Sequence, residues 1–298
     1  MTESKIDFPW LYCASDQASI KAQNAHFRLL VTQLGVFLVI SIIEGVVAPL
    51  MPGREQLFAA GSAALLAMGV VLTYLARDRK FDKAWFDCRA VAESVKTVTW
   101  RFMMNTPPFL PSMSDAEASS RFIEELKQVR AARPSVLALL GGLCPGAKEI
   151  PDSMLTNRRL PLVERKELYR TGRLIDQRNW YDGKAKTFRH SAARWFWAVT
   201  GTQVLALVLA IAAVYAGPFK VNMVGVLMTL VASFTAWTES KRNEDLANAY
   251  SMAAQELREL EALLTVVQDE AGFPKWVVDV EGACSREHTM WVAKRAGS

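Results

Sequence analysis

The chain has 298 residues, 51% of them hydrophobic and 22% charged, with a formal net charge of +5. Its apolar residues are gathered in four long runs, which excludes a purely soluble enzyme.

In chain order, a polar stretch with Asp7, Asp16, Lys21 and Arg28 leads into Leu29 to Leu50, where the one charge is Glu44. No small-residue cleavage site follows, so this run is expected to stay in the mature protein. Leu57 to Ala76 carries no charge, and Met51 to Gln56 between the two runs reads as a hairpin tip. About 20 apolar residues cross a ~30 Å hydrocarbon layer as a helix, so each run predicts a span. After this hairpin Ala84, Cys88, Val91, Val95, Val98 and Phe102 alternate spacings of four and three, which lines one stripe of a helix and suits a coiled-coil seam.

Thr106-Pro107-Pro108 and Pro111 end that helix, because proline lacks the amide donor and restricts its predecessor. Ser114 and Glu117 have the spacing of a capping box and open a short helix that Arg133-Pro134 closes. Ala138 to Pro151 reads as a loop. Within it GGLCPGAK, Gly141 to Lys148, comes near a phosphate-binding loop, but Ala147 separates Gly146 from Lys148, and Glu149 stands where Ser or Thr is required. Leu162 to Arg194 predicts a long basic helix running into a third span, Trp195 to Ala216, and Val221 to Trp237 is the fourth. A second stripe follows: Leu246, Tyr250, Ala253, Leu257, Leu260 and Leu264 repeat the first spacing 162 residues later.

The expected fold class is all-α: a polytopic membrane protein with four transmembrane helices in two tandem units, each a hairpin plus a long cytoplasmic helix. Residues 1–110 form the first unit, 111–160 a connector, and 161–298 the second unit with its basic lead-in helix. Each unit enters and leaves on one side, so the copies are parallel, related by an axis along the membrane normal.

Charge sets the orientation. Arg77 to Arg194 holds 23 Lys plus Arg against 14 Asp plus Glu, a net of +9, whereas each hairpin tip holds one cation, Arg54 or Lys220. Positive charge stays inside, so both termini and the middle segment are expected in the cytoplasm. Cys13, Cys88, Cys144 and Cys284 lack any C-x-x-C pair and read as reduced thiols. His26, His190 and His288 have no metal-ligand spacing, and His288 reads as a surface or packing residue. No metal, cofactor or catalytic residue is expected.

Two sets of residues are candidates for function. Gln33, Phe37, Ser41 and Glu44 share a stripe of the first span; repeated around an axis, they would present an anionic ring to a cation path. The alternative is that Glu44 only reaches the interface. Asn222, Thr229 and Ser233 in the fourth span, and Ala59, Ala63 and Ala67 in the second, read as helix-packing faces rather than pore lining. The second set lies in Arg158 to Arg194, with 11 Lys plus Arg against 4 Asp plus Glu: Arg158, Arg159, Arg165, Lys166, Arg170 and Arg173 are candidate phosphate ligands. Interleaved Tyr169, Trp180 and Tyr181 would suit nucleotide bases, and anionic lipid head groups are the other occupant of such a surface.

AESVKTVTWRFMMNTPPF, Ala92 to Phe109, resembles the SLATT family of two-span effector domains found in bacterial defence loci. MLTNRRLPLVERKELYRTGRLIDQRNWYDGKA, Met154 to Ala185, resembles the connector of tandem SLATT proteins, and SREHTMW, Ser285 to Trp291, their C-terminal end. The resemblance implies a homo-oligomer, a dimer or tetramer, in the bacterial inner membrane. It would form an ion channel or pore in antiphage defence by abortive infection, under a nucleotide or oligonucleotide made by a linked nucleotidyltransferase. A Hailong-type channel, which an oligonucleotide restrains, is one form of this. The other classes are a membrane-anchored scaffold and a small transporter.

Overall fold

The computed structural model describes residues 6–217, 219–265 and 269–296, the side chains of 216 and 286–296 excepted. SREHTMW therefore lies mostly outside the described side chains, His288 included. Every regular element among the described residues is helical. The helices are α1 (Trp10–Ile42), α2 (Ala48–Leu50), α3 (Glu55–Arg79), α4 (Phe81–Met103), α5 (Asp115–Ala132), α6 (Pro134–Leu137), α7 (Asp152–Arg158), α8 (Leu162–Tyr169), α9 (Asp176–Ala216), α10 (Met223–Lys241), α11 (Asn243–Leu263) and α12 (Gly272–Ala296). Wider π-helical turns, Ile43–Val47 and Arg170–Ile175, join α1 to α2 and α8 to α9. Four of the resulting helical runs are long and apolar enough to cross a membrane.

The chain divides into two compact units that do not follow its sequence halves. Unit 1 takes Met1–Gln23, Asp82–Ala185 and Asn248–Ser298; unit 2 takes Asn24–Phe81 and Lys186–Ala247.

Unit 1 has a conventional hydrophobic core. Both repeated stripes line it: Cys88, Val91, Val95 and Phe102 from α4, and Ala253, Leu257 and Leu264 from the second stripe, with Val98, Tyr250 and Leu260 packed at its edge. The largest buried side chains include Trp100, Tyr169, Phe102, Phe109, Phe122 and Phe273. Tyr169 meets Trp100, Phe273 and Trp276 edge-on, with ring centroids 5.4–6.4 Å apart. The capping box forms: Ser114 Oγ accepts from the Glu117 amide and Glu117 Oε2 from the Ser114 amide.

GGLCPGAK is a docking loop. Its Leu143 carbonyl accepts from Trp10 Nε1 at 2.9 Å, and the Lys148 carbonyl accepts from the Trp10 amide at 2.8 Å. Cys144 is disulfide-bonded to Cys13. The expectation of four reduced thiols is corrected for the structure, where tertiary packing joins two cysteines that stand 131 residues apart; the state of this pair inside the cell is a separate matter. Cys88 and Cys284 are free and buried.

Unit 2 contains the four apolar runs, and most of its large apolar side chains face outward, among them Leu57, Val70, Tyr74, Phe196, Trp197 and Val214. A surface of this kind suits hydrocarbon rather than water. In the hairpin the face of α3 that packs is Ser62 and Gly69, both buried. Ala59, Ala63 and Ala67 are exposed.

Two bends occur at matching places. Lys80, after α3, and Arg242, after α10, both take left-handed backbone conformations, with φ of 45° and 49°. They stand 162 residues apart, the offset of the two stripes. Gly53 and Gly217 likewise turn the two hairpin tips at φ of 85° and 84°, a region open to glycine without a Cβ clash.

Candidate functional site

In unit 2 the four stripe residues of the first span turn toward neighbouring helices of the same unit. Gln33 Nε2 donates to Thr73 Oγ1 at 2.9 Å, and the Phe37 ring lies 3.4 Å from the position a Cβ of Gly69 would take. Ser41 Oγ donates to Thr229 Oγ1 at 3.0 Å, the Thr229 proton going to the Gly225 carbonyl. Glu44 Oε1 accepts from Ser62 Oγ at 2.5 Å. Each polar member of the stripe therefore has a partner, and Phe37 packs between them.

Glu44 has a special local backbone. It lies in the π-helical turn Ile43–Val47, and the carbonyl of Gly45 accepts from the Asn222 amide at 2.7 Å. A side chain at Gly45 would place its Cβ 3.0 Å from Val226 and 3.1 Å from the Asn222 carbonyl, so glycine permits this approach. Asn222 also caps α10, its Oδ1 accepting from the Gly225 amide at 2.9 Å. Thr229 returns a second bond to the Gly225 carbonyl, and Ser233 bonds the Thr229 carbonyl, so the polar face of the fourth span works in packing. Glu44 differs from these: its carboxylate is bonded on one side and its side chain remains exposed within an apolar run.

In unit 1 the six basic candidates are not one open patch. Arg158 is buried; its guanidinium donates to the carbonyls of Phe102 at 3.0 Å and Leu110 at 2.9 Å and lies over the Phe102 ring. Burial holds its pKa below the usual arginine range, against the pull of Asp115. Arg159 is exposed and pairs with Asp115 at 2.6 Å. Arg165 is buried and donates to the Leu160 and Met104 carbonyls and to Glu270. Arg170 is half-buried between Glu167 and Glu261. Lys166 is half-buried.

Arg173 is the most enclosed. Its Nε and Nη2 donate to the two oxygens of Glu281 at 2.9 and 2.7 Å, and its Nη1 donates to Gln177 at 3.1 Å. Glu281 also accepts from Tyr169 at 2.9 Å and Thr97 at 2.8 Å, and Lys96 reaches Gln177 at 3.3 Å. The buried Glu281 carboxylate thus accepts four hydrogen bonds, two on each oxygen, as a low-dielectric site demands. Arg158, Arg165 and Arg173 hold helices together, then, while Arg159, Lys166 and Arg170 are the members that approach the surface. Sequence reasoning missed Glu281, Glu270 and Tyr169 as the partners, since they are distant in the chain from the basic segment or counted with its aromatics.

No group of three or more potential metal ligands gathers among the described residues. Of the aromatic candidates, Trp180 meets Tyr250 of α11 edge-on at 5.4 Å and Tyr181 stacks on it at 5.5 Å.

Family comparison agrees with this duplicated architecture. Residues 9–166 match the model of the SMODS and SLOG-associating 2TM effector domain 3, and residues 169–291 match that of domain 1. No curated protein and no solved structure matches the chain. Two matches in tandem, over a helical chain with four span-length apolar helices, place this protein in the SLATT family, two-transmembrane domains that act as membrane effectors of antiphage defence.

Proposed function

We propose that the protein is a homo-oligomeric ion channel of the inner membrane, with both termini cytoplasmic, controlled by a nucleotide or oligonucleotide signal in antiphage defence. The observation that carries this reading is Glu44, an exposed carboxylate in an apolar run, fixed by Ser62 within a π-helical turn. A carboxylate facing hydrocarbon costs several kcal/mol, on the order of 2.5–3.5 on insertion scales, so its open side needs a second subunit or water. A ring of subunits around an axis supplies both. Ala59, Ala63 and Ala67, exposed along α3, let another helix approach closely.

Control by a phosphate-bearing ligand would fall to the surface members of the basic set, Arg159, Lys166 and Arg170, because the buried arginines lie out of a ligand's reach. Such a ligand gates by binding open and closed states with different affinity. The test is recording from the full-length protein in planar bilayers, with and without a cyclic dinucleotide or short oligonucleotide. Stepwise conductance that either ligand alters is the expected result. Bilayers that stay silent under every ligand while the protein is inserted would refute the channel reading and leave a membrane scaffold.

A further inference from the structure

Where the third and fourth apolar runs of unit 2 meet their polar extensions, α9, α10 and the start of α11 enclose a cationic, aromatic cavity. It has a volume of about 580 Å³ and is lined by Phe188, His190, Arg194, Trp195, Trp237 and Lys241, with Thr187, Ser191 and Asn243 completing the wall. No acidic side chain lines it. The contrast is a hollow of about 650 Å³ along α5, where Arg121 and Lys127 are met by Glu125 and Glu124. In the border cavity neither Arg194 nor Lys241 has an ion-pair partner among the described residues.

Lys241 is held by rings instead of by a carboxylate. Its ammonium sits 3.4 Å from the Phe27 ring centroid and 4.8 Å from that of Trp237. Trp237 packs edge-on against Phe27 and lies 6.3 Å from Trp195, which in turn meets Phe234 at 5.3 Å. Cation–π contacts position a positive charge without neutralising it. The charge remains available to an anion.

The position along the helices identifies the anion. Trp195 opens the third apolar run and Trp237 closes the fourth, Arg194 directly precedes the first of these, and Lys241 lies one turn beyond the second. Tryptophan bodies sit at the head-group level of a bilayer, and phosphates lie just outside them. Phe196 and Trp197, exposed beside the cavity, offer a wall for acyl chains. Asn243 is buried and donates to Ser191 at 3.1 Å, bridging α11 to α9 in the cavity wall.

We propose that this cavity is a site for the phosphate head group of an anionic phospholipid, with Arg194 and Lys241 binding the phosphate and Trp195 and Trp237 bordering the glycerol. The charge pair favours phosphatidylglycerol or cardiolipin over phosphatidylcholine, whose choline would bring a third cation.

The test is native mass spectrometry of the full-length protein in a mild detergent, titrated with cardiolipin or with phosphatidylcholine, and repeated with ATP and with a short oligonucleotide. The wild type should retain cardiolipin about tenfold more than phosphatidylcholine. The double variant Arg194→Gln, Lys241→Gln should lose most of that preference, and Lys220→Gln, at the opposite end of the hairpin, should keep it. Should the double variant fail to assemble, Arg194→Glu alone, an exposed position, should still remove cardiolipin. Equal retention of the two lipids, or unchanged cardiolipin in both variants, would overturn the assignment. So would loss of ATP or oligonucleotide binding in the variants with cardiolipin retained, which would assign the cavity to a soluble phosphate.

Discussion

Arg173 and Glu281, 108 residues apart, hold each other through two hydrogen bonds of 2.9 and 2.7 Å while their side chains are 2% and 0% exposed. Removing one partner of such a pair leaves a buried charge uncompensated, at a cost of about 3–5 kcal/mol. Glu281→Gln should therefore lower the thermal unfolding midpoint of unit 1, followed by tryptophan fluorescence. Glu270→Gln, at a half-exposed carboxylate, should lower it much less, because water takes over part of the lost contact. Equal shifts would mean that the buried centre contributes nothing particular.

Arginine substitutions should sort by burial. Gln at Arg158 or Arg165 should reduce the yield of folded protein, since each donates to backbone carbonyls that have no water to replace it. Gln at Arg159, Lys166 and Arg170 together should preserve assembly and weaken oligonucleotide binding, with a shallower dependence on salt. Binding that survives the triple change unaltered would move the ligand site elsewhere.

Glu44→Gln keeps shape and the bond from Ser62 while removing charge. In bilayer recordings it should lower cation preference without dissolving the oligomer, and Glu44→Lys should lower it further. Ser62→Ala should act more weakly, since it frees the carboxylate instead of deleting it. Reversal potentials identical to the parent in all three would confine Glu44 to an interfacial role.

Orientation is open to chemical labelling. With both termini cytoplasmic, Arg54→Cys and Phe219→Cys, at the hairpin tips, should react with an impermeant maleimide added outside spheroplasts. Ser120→Cys should react only after permeabilisation. The reverse pattern would invert the topology.

The Cys13–Cys144 disulfide bears on the same question, because cytoplasmic thiols are kept reduced. Denatured protein from growing cells quenched with an alkylating reagent should show four labelled cysteines, and protein purified in air without reductant should show two. Native protein at pH 8 should leave Cys284 unlabelled, since burial pushes its thiol up to about 12 and the reactive thiolate is scarce. Two labelled cysteines already in growing cells would place unit 1 in an oxidising compartment and contradict the proposed orientation.

Local signals carried far in this chain. The four apolar runs, the Ser114 and Glu117 box and the two stripes all appear in the structure where their spacing placed them, because each depends on neighbours within a few turns. Long-range pairing was not legible. Counting charge from Arg158 to Arg194 gave an open basic surface, yet the partners of Arg165 and Arg173, Glu270 and Glu281, lie more than 100 residues downstream. Cys13 and Cys144 are hidden in the same way. The break at Lys80 and Arg242 left no signal either, since neither is the glycine that a left-handed backbone favours.

The core of unit 1 draws Leu11 and Trp100 from one half of the sequence and Tyr169, Leu257 and Phe273 from the other. A single half, expressed alone, would carry an apolar stripe with nothing to cover it, and would have to find a second chain at whatever concentration the cell supplied. Joining the halves turns that search into a first-order event whose local concentration the connector fixes. Dilution should therefore leave this unit folded, and the two halves have been free to diverge, as where Thr97 of the first donates to Glu281 of the second.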